Sequence, residues 1–202
     1  MYNLFYKCAI HRGCWVMKRV VTSCMLAAFG LLFLLTQTGY SGEIFQNQQD
    51  SGYQIMYASP IGQTFTAEDS HILSIGFWVK DWNPIAGPID LSIELFEGIG
   101  NTGTSLGSSP ITGLAPGFNG FFYADFSFVH LTVGDIYTAI ISSTSSRASV
   151  GSYDDPTSYP GGDMIKMGNI VDNADLTFRV IPEPATIALL SMGVLFLRKH
   201  GT

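Results

Sequence analysis

Between residues 42 and 181, apolar positions recur at every second residue in short runs separated by Gly, Pro, Asn and Asp. The clearest run is 89–97, where Ile89, Leu91, Ile93 and Leu95 fall on one face. Side chains of an extended chain alternate between faces, so this is the pattern of a half-buried strand. The same period, carried by β-branched and aromatic residues, marks 53–57, 62–66, 71–80, 121–131, 135–142, 163–168 and 174–180. No window of this region sustains an i, i+3, i+4 pattern. Eight or so strands in about 140 residues predict an all-β fold, a single antiparallel β-sandwich of jelly-roll-like type. Trp78, in the middle of 71–80, is expected in its core.

The two ends break this pattern. Lys18-Arg19 is followed by an apolar run over 25–35 and then by small or polar residues up to Ser41. A cationic flank, a short apolar helix and a small-residue stretch form the layout of a secretory signal peptide. Met17, directly before Lys18, is the natural start of that layout. Val21-Thr22-Ser23-Cys24 resembles a lipidation box but precedes the apolar run, so it is discarded. At the other end, Ile181-Pro182-Glu183-Pro184 leads into the apolar 187–197, followed by Arg198-Lys199-His200. The prolines are expected to break regular structure and leave an exposed linker, with the basic terminus stopping transfer. The expected organisation is a signal helix over 1–41, the sandwich over 42–180 and a hydrophobic tail helix within 181–202.

Charge follows the same division. Of 10 basic and 16 acidic residues, the stretch 42–181 holds 4 and 15, leaving 6 and 1 for the ends. The sandwich is strongly acidic, which excludes nucleic acid as a partner. Cys8, Cys14 and Cys24 all precede the expected cleavage point, so the exported domain has neither disulfide nor thiol chemistry.

The Pro182-Glu183-Pro184 box, the apolar helix with small residues and the Arg198-Lys199 cluster together resemble the PEP-CTERM sorting tail of bacterial exported proteins. The resemblance covers about residues 181–200. It implies export through the Sec translocon and a transient membrane anchor. It also implies recognition of the box by an exosortase, a membrane-embedded processing enzyme, with delivery to the cell envelope or matrix of a Gram-negative-type bacterium. The apolar stretch 185–197 is short for a full span, about 20 Å of helix against a hydrocarbon core of about 30 Å. Within the middle, the QTFTA, ILSIGFWV, DLSIELFEG and LTVGDIYTAII segments resemble exported sandwich modules carried above such tails, which look like carbohydrate-binding sandwiches.

Candidate chemistry in the middle is sparse. Gly103-Thr104-Ser105-Leu106-Gly107 matches a nucleophile-elbow pattern, with Asp125 and His130 downstream. No helix follows the Ser, as that chemistry requires, so a weak hydrolase is only a second alternative. Glu94 and Glu97 fall on opposite faces of one strand and cannot share a glycosidase cleft. His71 and His130 lack cysteine partners for a zinc site. Asp154, Asp155 and Asp163, with Asp172 and Asp175, lie in a Gly/Pro/Ser-rich stretch where oxygen ligands could converge on a structural calcium ion. No other cofactor is implied. Trp82, Tyr153 and Tyr159 stand near carboxylates and amides in turns, a combination suited to sugars; the plainer reading is that these rings cap the core. The expected function is that of a non-enzymatic exported surface or matrix protein with no catalytic residues. Binding of exopolysaccharide is the alternative.

Overall fold

The computed structural model describes residues 42–155 and 159–183. The expected signal helix and tail helix, with Pro184, Arg198 and Lys199, lie outside the described residues. Thirteen strands and one short helix are described: β1 (Ile44–Gln46), β2 (Ser51–Gln54), α1 (Ile55–Ala58), β3 (Ile61–Thr66), β4 (Ile72–Asp81), β5 (Ile89–Glu97), β6 (Ser105–Leu114), β7 (Asn119–Asp125), β8 (Ile136–Ser143), β9 (Ala148–Tyr153), β10 (Met164–Lys166), β11 (Asn169–Val171), β12 (Asp175–Leu176) and β13 (Phe178–Pro182). They form two antiparallel sheets. The first runs β1-β13-β4-β9-β12, with β2 also on β9 and β7 on β4; the second runs β11-β10-β3-β8-β5-β6. The all-β sandwich expected from the alternation is the observed fold.

β5 follows its pattern to the residue. Ile89, Leu91, Ile93 and Leu95 are buried, while Asp90, Ser92, Glu94 and Phe96 face away from the core. On β4 the buried apolar side chains are Ile72, Ile75, Phe77 and Val79, and β7 supplies Phe122 and Ala124 in register with Phe77 and Ile75. Phe65, Phe77, Phe126 and Phe178 are among the largest side chains wholly closed from solvent. Burial of this kind contributes about 25 cal/mol per Å² of apolar surface removed from water.

The expected run 121–131 does not stay in one strand. The Asp125 carboxylate accepts from Ser127 N–H at 2.9 Å, and Val129 N–H bonds back to Phe126 O at 2.9 Å. That turn ends β7, and Phe126, Val129 and Leu131 enter the core from a loop. Hydrogen bonds from Ser127 also hold the Asp125 carboxyl below its ordinary range. Residues 55–58 form α1, not the continuation of a strand. β6 and β9 were not expected, because their Gly and Ser content obscures the period. β6 is an edge strand, the position in a sheet where a proline such as Pro110 is tolerated.

The sheets are also joined by a polar contact. On β3, buried Gln63 donates from Nε2 to Asp175 Oδ1 at 2.6 Å and accepts Leu176 N–H at 2.8 Å. Tyr159 N–H bonds the other Asp175 oxygen at 2.9 Å. Gln63, Asp175 and Leu176 are closed to water, so the bonds among them spare unsatisfied donors and acceptors.

Candidate functional site

The outward positions of the first sheet carry rings. Pairing aligns Trp78 with Phe121 and Gly76 with Tyr123 across β4 and β7, while Arg179 of β13 lies opposite Gly76 on the other side. Phe45 of β1 pairs with Arg179 and is 53% exposed. Residues directly opposite in an antiparallel ladder point to the same face, so four strands contribute to one surface.

The surface is internally organised. Trp78 and Phe121 meet edge to face at 5.5 Å, Phe121 and Tyr123 lie at 5.9 Å and 23°, and the Arg179 guanidinium sits 4.6 Å over Phe121. Gly76 makes room for this layer. A Cβ there would stand 2.5 Å from the Tyr123 ring, so the ring lies down over the glycine. Polar groups fix the rest. Trp78 Nε1 donates to Asn119 Oδ1 at 3.2 Å, and Arg179 Nε donates to Asn47 Oδ1 at 3.0 Å. Arg179 also pairs with Glu43 at 3.3 Å. Trp78 is therefore not in the core. It shares the parity of Gly76 and Lys80, and Phe77 and Val79 take the buried side.

Trp82, one of the expected sugar contacts, extends this surface. It is 57% exposed, its Nε1 donates to Ser149 Oγ at 2.9 Å, and the Lys80 ammonium lies 3.7 Å over its ring. Lys80 is two residues beyond Trp78 on the same face. The Asp81 carboxylate anchors this corner: it is buried, accepts from Asn83 and Gly117 N–H and pairs with Arg147 at 3.6 Å.

Tyr153 and Tyr159 do not join it. Tyr153 stands beyond a segment that crosses the sheet, where Gln48 O accepts from Thr177 and Gln49 lies against Gly151. Its hydroxyl donates to Asp155 at 3.3 Å; burial first, then the Asp155 charge, raise its pKa. Tyr159 packs edge-on against Phe178 at 5.3 Å, and desolvation pushes its phenol up to about 12. It caps the core.

The calcium residues are not gathered either. Asp155 meets Tyr153, whereas Asp163 is fixed through its backbone to Thr64. Among the described residues no three His, Cys, Asp or Glu side chains are grouped to hold a metal ion. Ser105 opens β6 and donates to Glu94 at 2.6 Å. His130 bridges His71, their rings 4.3 Å apart, and Asp125 serves the Ser127 turn, so these three residues form separate contacts. Pro182 closes β13, and Glu183 N–H bonds His71 O at 3.1 Å. Among the described residues no helix is long and apolar enough to cross a membrane.

A recess of about 10 Å³ lined by Gly42, Ile44, Phe65, Leu131 and Pro182 has room for about one water and not for a sugar ring. Among the described residues, the ring-bearing face of the first sheet is where a sugar could lie.

No family model matches the chain, and no curated protein does. Among solved structures it is similar to CsCBM6-3 from Clostridium stercorarium in complex with cellobiose, at 16% identity over 55% of this chain and 88% of that one, with a TM-score of 0.34. It is also similar to the cysteine protease and lectin-like domains of Cwp84, a surface layer associated protein of Clostridium difficile, at 11% identity and a TM-score of 0.39. That match covers 65% of this chain and 35% of the other. Scores and identities this low say nothing of ligand or partner.

Proposed function

We propose that this chain is a non-enzymatic exported surface or matrix protein whose sandwich binds polysaccharide through the outer face of its first sheet. The observation that carries the reading is the layer of Trp78, Phe121 and Tyr123, extended by Phe45 and Trp82 and interleaved with Arg179, Lys80 and Asn119. Rings stack on the apolar faces of sugars, and cations, amides and hydroxyls between them meet sugar hydroxyls. The surface is open, so it suits a stretch of polymer lying along the sheet. Export and sorting through Pro182, Glu183 and Pro184 by an exosortase belong to the same reading and are supported by the tail resemblance. No bound cofactor is part of it.

Affinity electrophoresis of the full chain in polysaccharide gels, guided by a glycan array, tests the binding. Retardation is expected, with Trp78→Ala weakening it roughly tenfold, the effect of about 1.4 kcal/mol, and Tyr159→Ala leaving it unchanged in protein that still folds. Absence of retention on every glycan, or indifference to Trp78→Ala, overturns the reading. Ester hydrolysis that disappears in Ser105→Ala would overturn its non-enzymatic part.

A further inference from the structure

β13 lies between β1 and β4, and it does not stop where the expected linker begins. Ile181 pairs with Ser74 and Pro182 with Ile72, the register shifting between them. Proline has no N–H to give to the ladder, which accounts for the shift at that point. Pairing resumes one residue later, where Glu183 N–H donates to the His71 carbonyl at 3.1 Å. Pro182 further lines the recess formed with Ile44 and Leu131. His71 is itself held by its bridge to His130. Pro182, the first residue of the Pro182-Glu183-Pro184 box, is therefore the last residue of the folded strand, and Glu183 is tied to the fold through its amide.

We propose that the folded sandwich withholds its own sorting box, and that processing of the tail requires the end of β13 to peel away from β4. The proposal rests on the reading of 181–202 as a sorting tail. An enzyme that takes the box as an extended peptide needs its backbone groups accessible. Here the Glu183 amide is already bonded within the fold, and one side of Pro182 faces the recess. Peeling the end releases a few backbone contacts while the core residues Phe178 and Val180 stay in place. Strand ends open in this way without global unfolding. The outcome is a slow step belonging to the substrate, which delays release from the membrane of chains that have folded.

Two variants move this step in opposite directions. Inserting Gly-Ser-Gly-Ser-Gly-Ser between Ile181 and Pro182 fills the strand end and carries the box clear of the sheet. Ser74→Cys with Ile181→Cys joins a cross-strand pair in register and locks the end in an oxidising compartment. In pulse-labelled native host cells, loss of the Thr202-containing peptide is followed by mass spectrometry. Two ordinary hydrogen-bonding contacts set the expected acceleration by the insertion at roughly tenfold; the locked variant is expected to slow, with recovery on reduction. Amide exchange on the purified chains accompanies this, with Glu183 protected in the wild type and unprotected in the insertion variant, and core amides protected in both. Equal processing of wild type, insertion and locked variants by chains with intact cores overturns the proposal and leaves the tail reading standing. Persistence of the Thr202 peptide in all three removes the tail reading and the proposal with it.

Discussion

On the second sheet the outward positions of β5 are Asp90, Ser92, Glu94 and Phe96; on the first, those of β4 and β7 include Trp78, Lys80, Phe121 and Tyr123. Both sets alternate with buried aliphatic or aromatic residues. The polar groups of the second sheet satisfy one another: Ser92 bonds Ser142 at 2.7 Å, Ser105 donates to Glu94, and Asp90 accepts Gly113 N–H at 2.9 Å. A ligand covering them would have to replace bonds already made. The rings of the first sheet leave apolar surface in water, and covering it gains free energy in proportion to area. Alternation thus decides which side chains enter the core, and the residue types on the opposite parity decide whether the outer face can hold anything.

That contrast can be broken most directly at neighbouring positions of β4. Phe77→Ala opens a cavity in the core and is expected to cost about 3–5 kcal/mol in urea unfolding. Trp78→Ala is expected to cost about 0.5–1.5 kcal/mol, the worth of its ring contacts. Equal losses would return Trp78 to the core and remove the binding face. A smaller effect is expected from Gly76→Val. Its side chain would displace the Tyr123 ring, so retention on polysaccharide should fall several-fold, about 1 kcal/mol, while the unfolding midpoint changes little; unchanged retention would show that the flat Tyr123 ring is not used.

The smallest effect separates a capping ring from a surface ring. The Tyr159 phenol is raised from 10.0 to about 12 in the fold. A group whose folded pKa exceeds its unfolded value stabilises fully below the unfolded pKa, and that contribution is lost as pH rises through the folded one. Stability should therefore decline between about pH 10 and 12, and Tyr159→Phe should flatten that decline relative to wild type. An identical pH profile in both proteins would mean that the phenol is solvated, as a sugar-contacting ring would be.

Much of the fold was legible in the chain. β5 matches its expected bounds and buried set, and β4 is displaced by one residue from the run 71–80. β6 and β9 were hidden because edge pairing and close packing favour Ser, Gly and Ala, whose hydropathy carries little period. The strand expected through 121–131 ended at an Asx turn that any run of aromatics conceals. Of the expected sugar contacts, Trp82 reaches the ring-bearing face while Tyr153 and Tyr159 do not. A signal for the missed residues was present: Trp78 shares parity with Lys80, and Phe121 and Tyr123 alternate with the buried Phe122 and Ala124. Rings on both parities of a strand mean that its outer face is not simply solvated.

The sequence alone determined the strand period, the acidic cysteine-free middle and the apolar basic ends, because each is a property of residues close together along the chain. Only the tertiary structure decided that Phe45, Trp78, Phe121, Tyr123 and Arg179 form one surface. It also decided that Pro182 ends a strand and Glu183 is tied to the fold through its amide where a free linker was expected. Those outcomes depend on which strands become neighbours and in what register, and pairing between distant segments is set by the packing of the whole core.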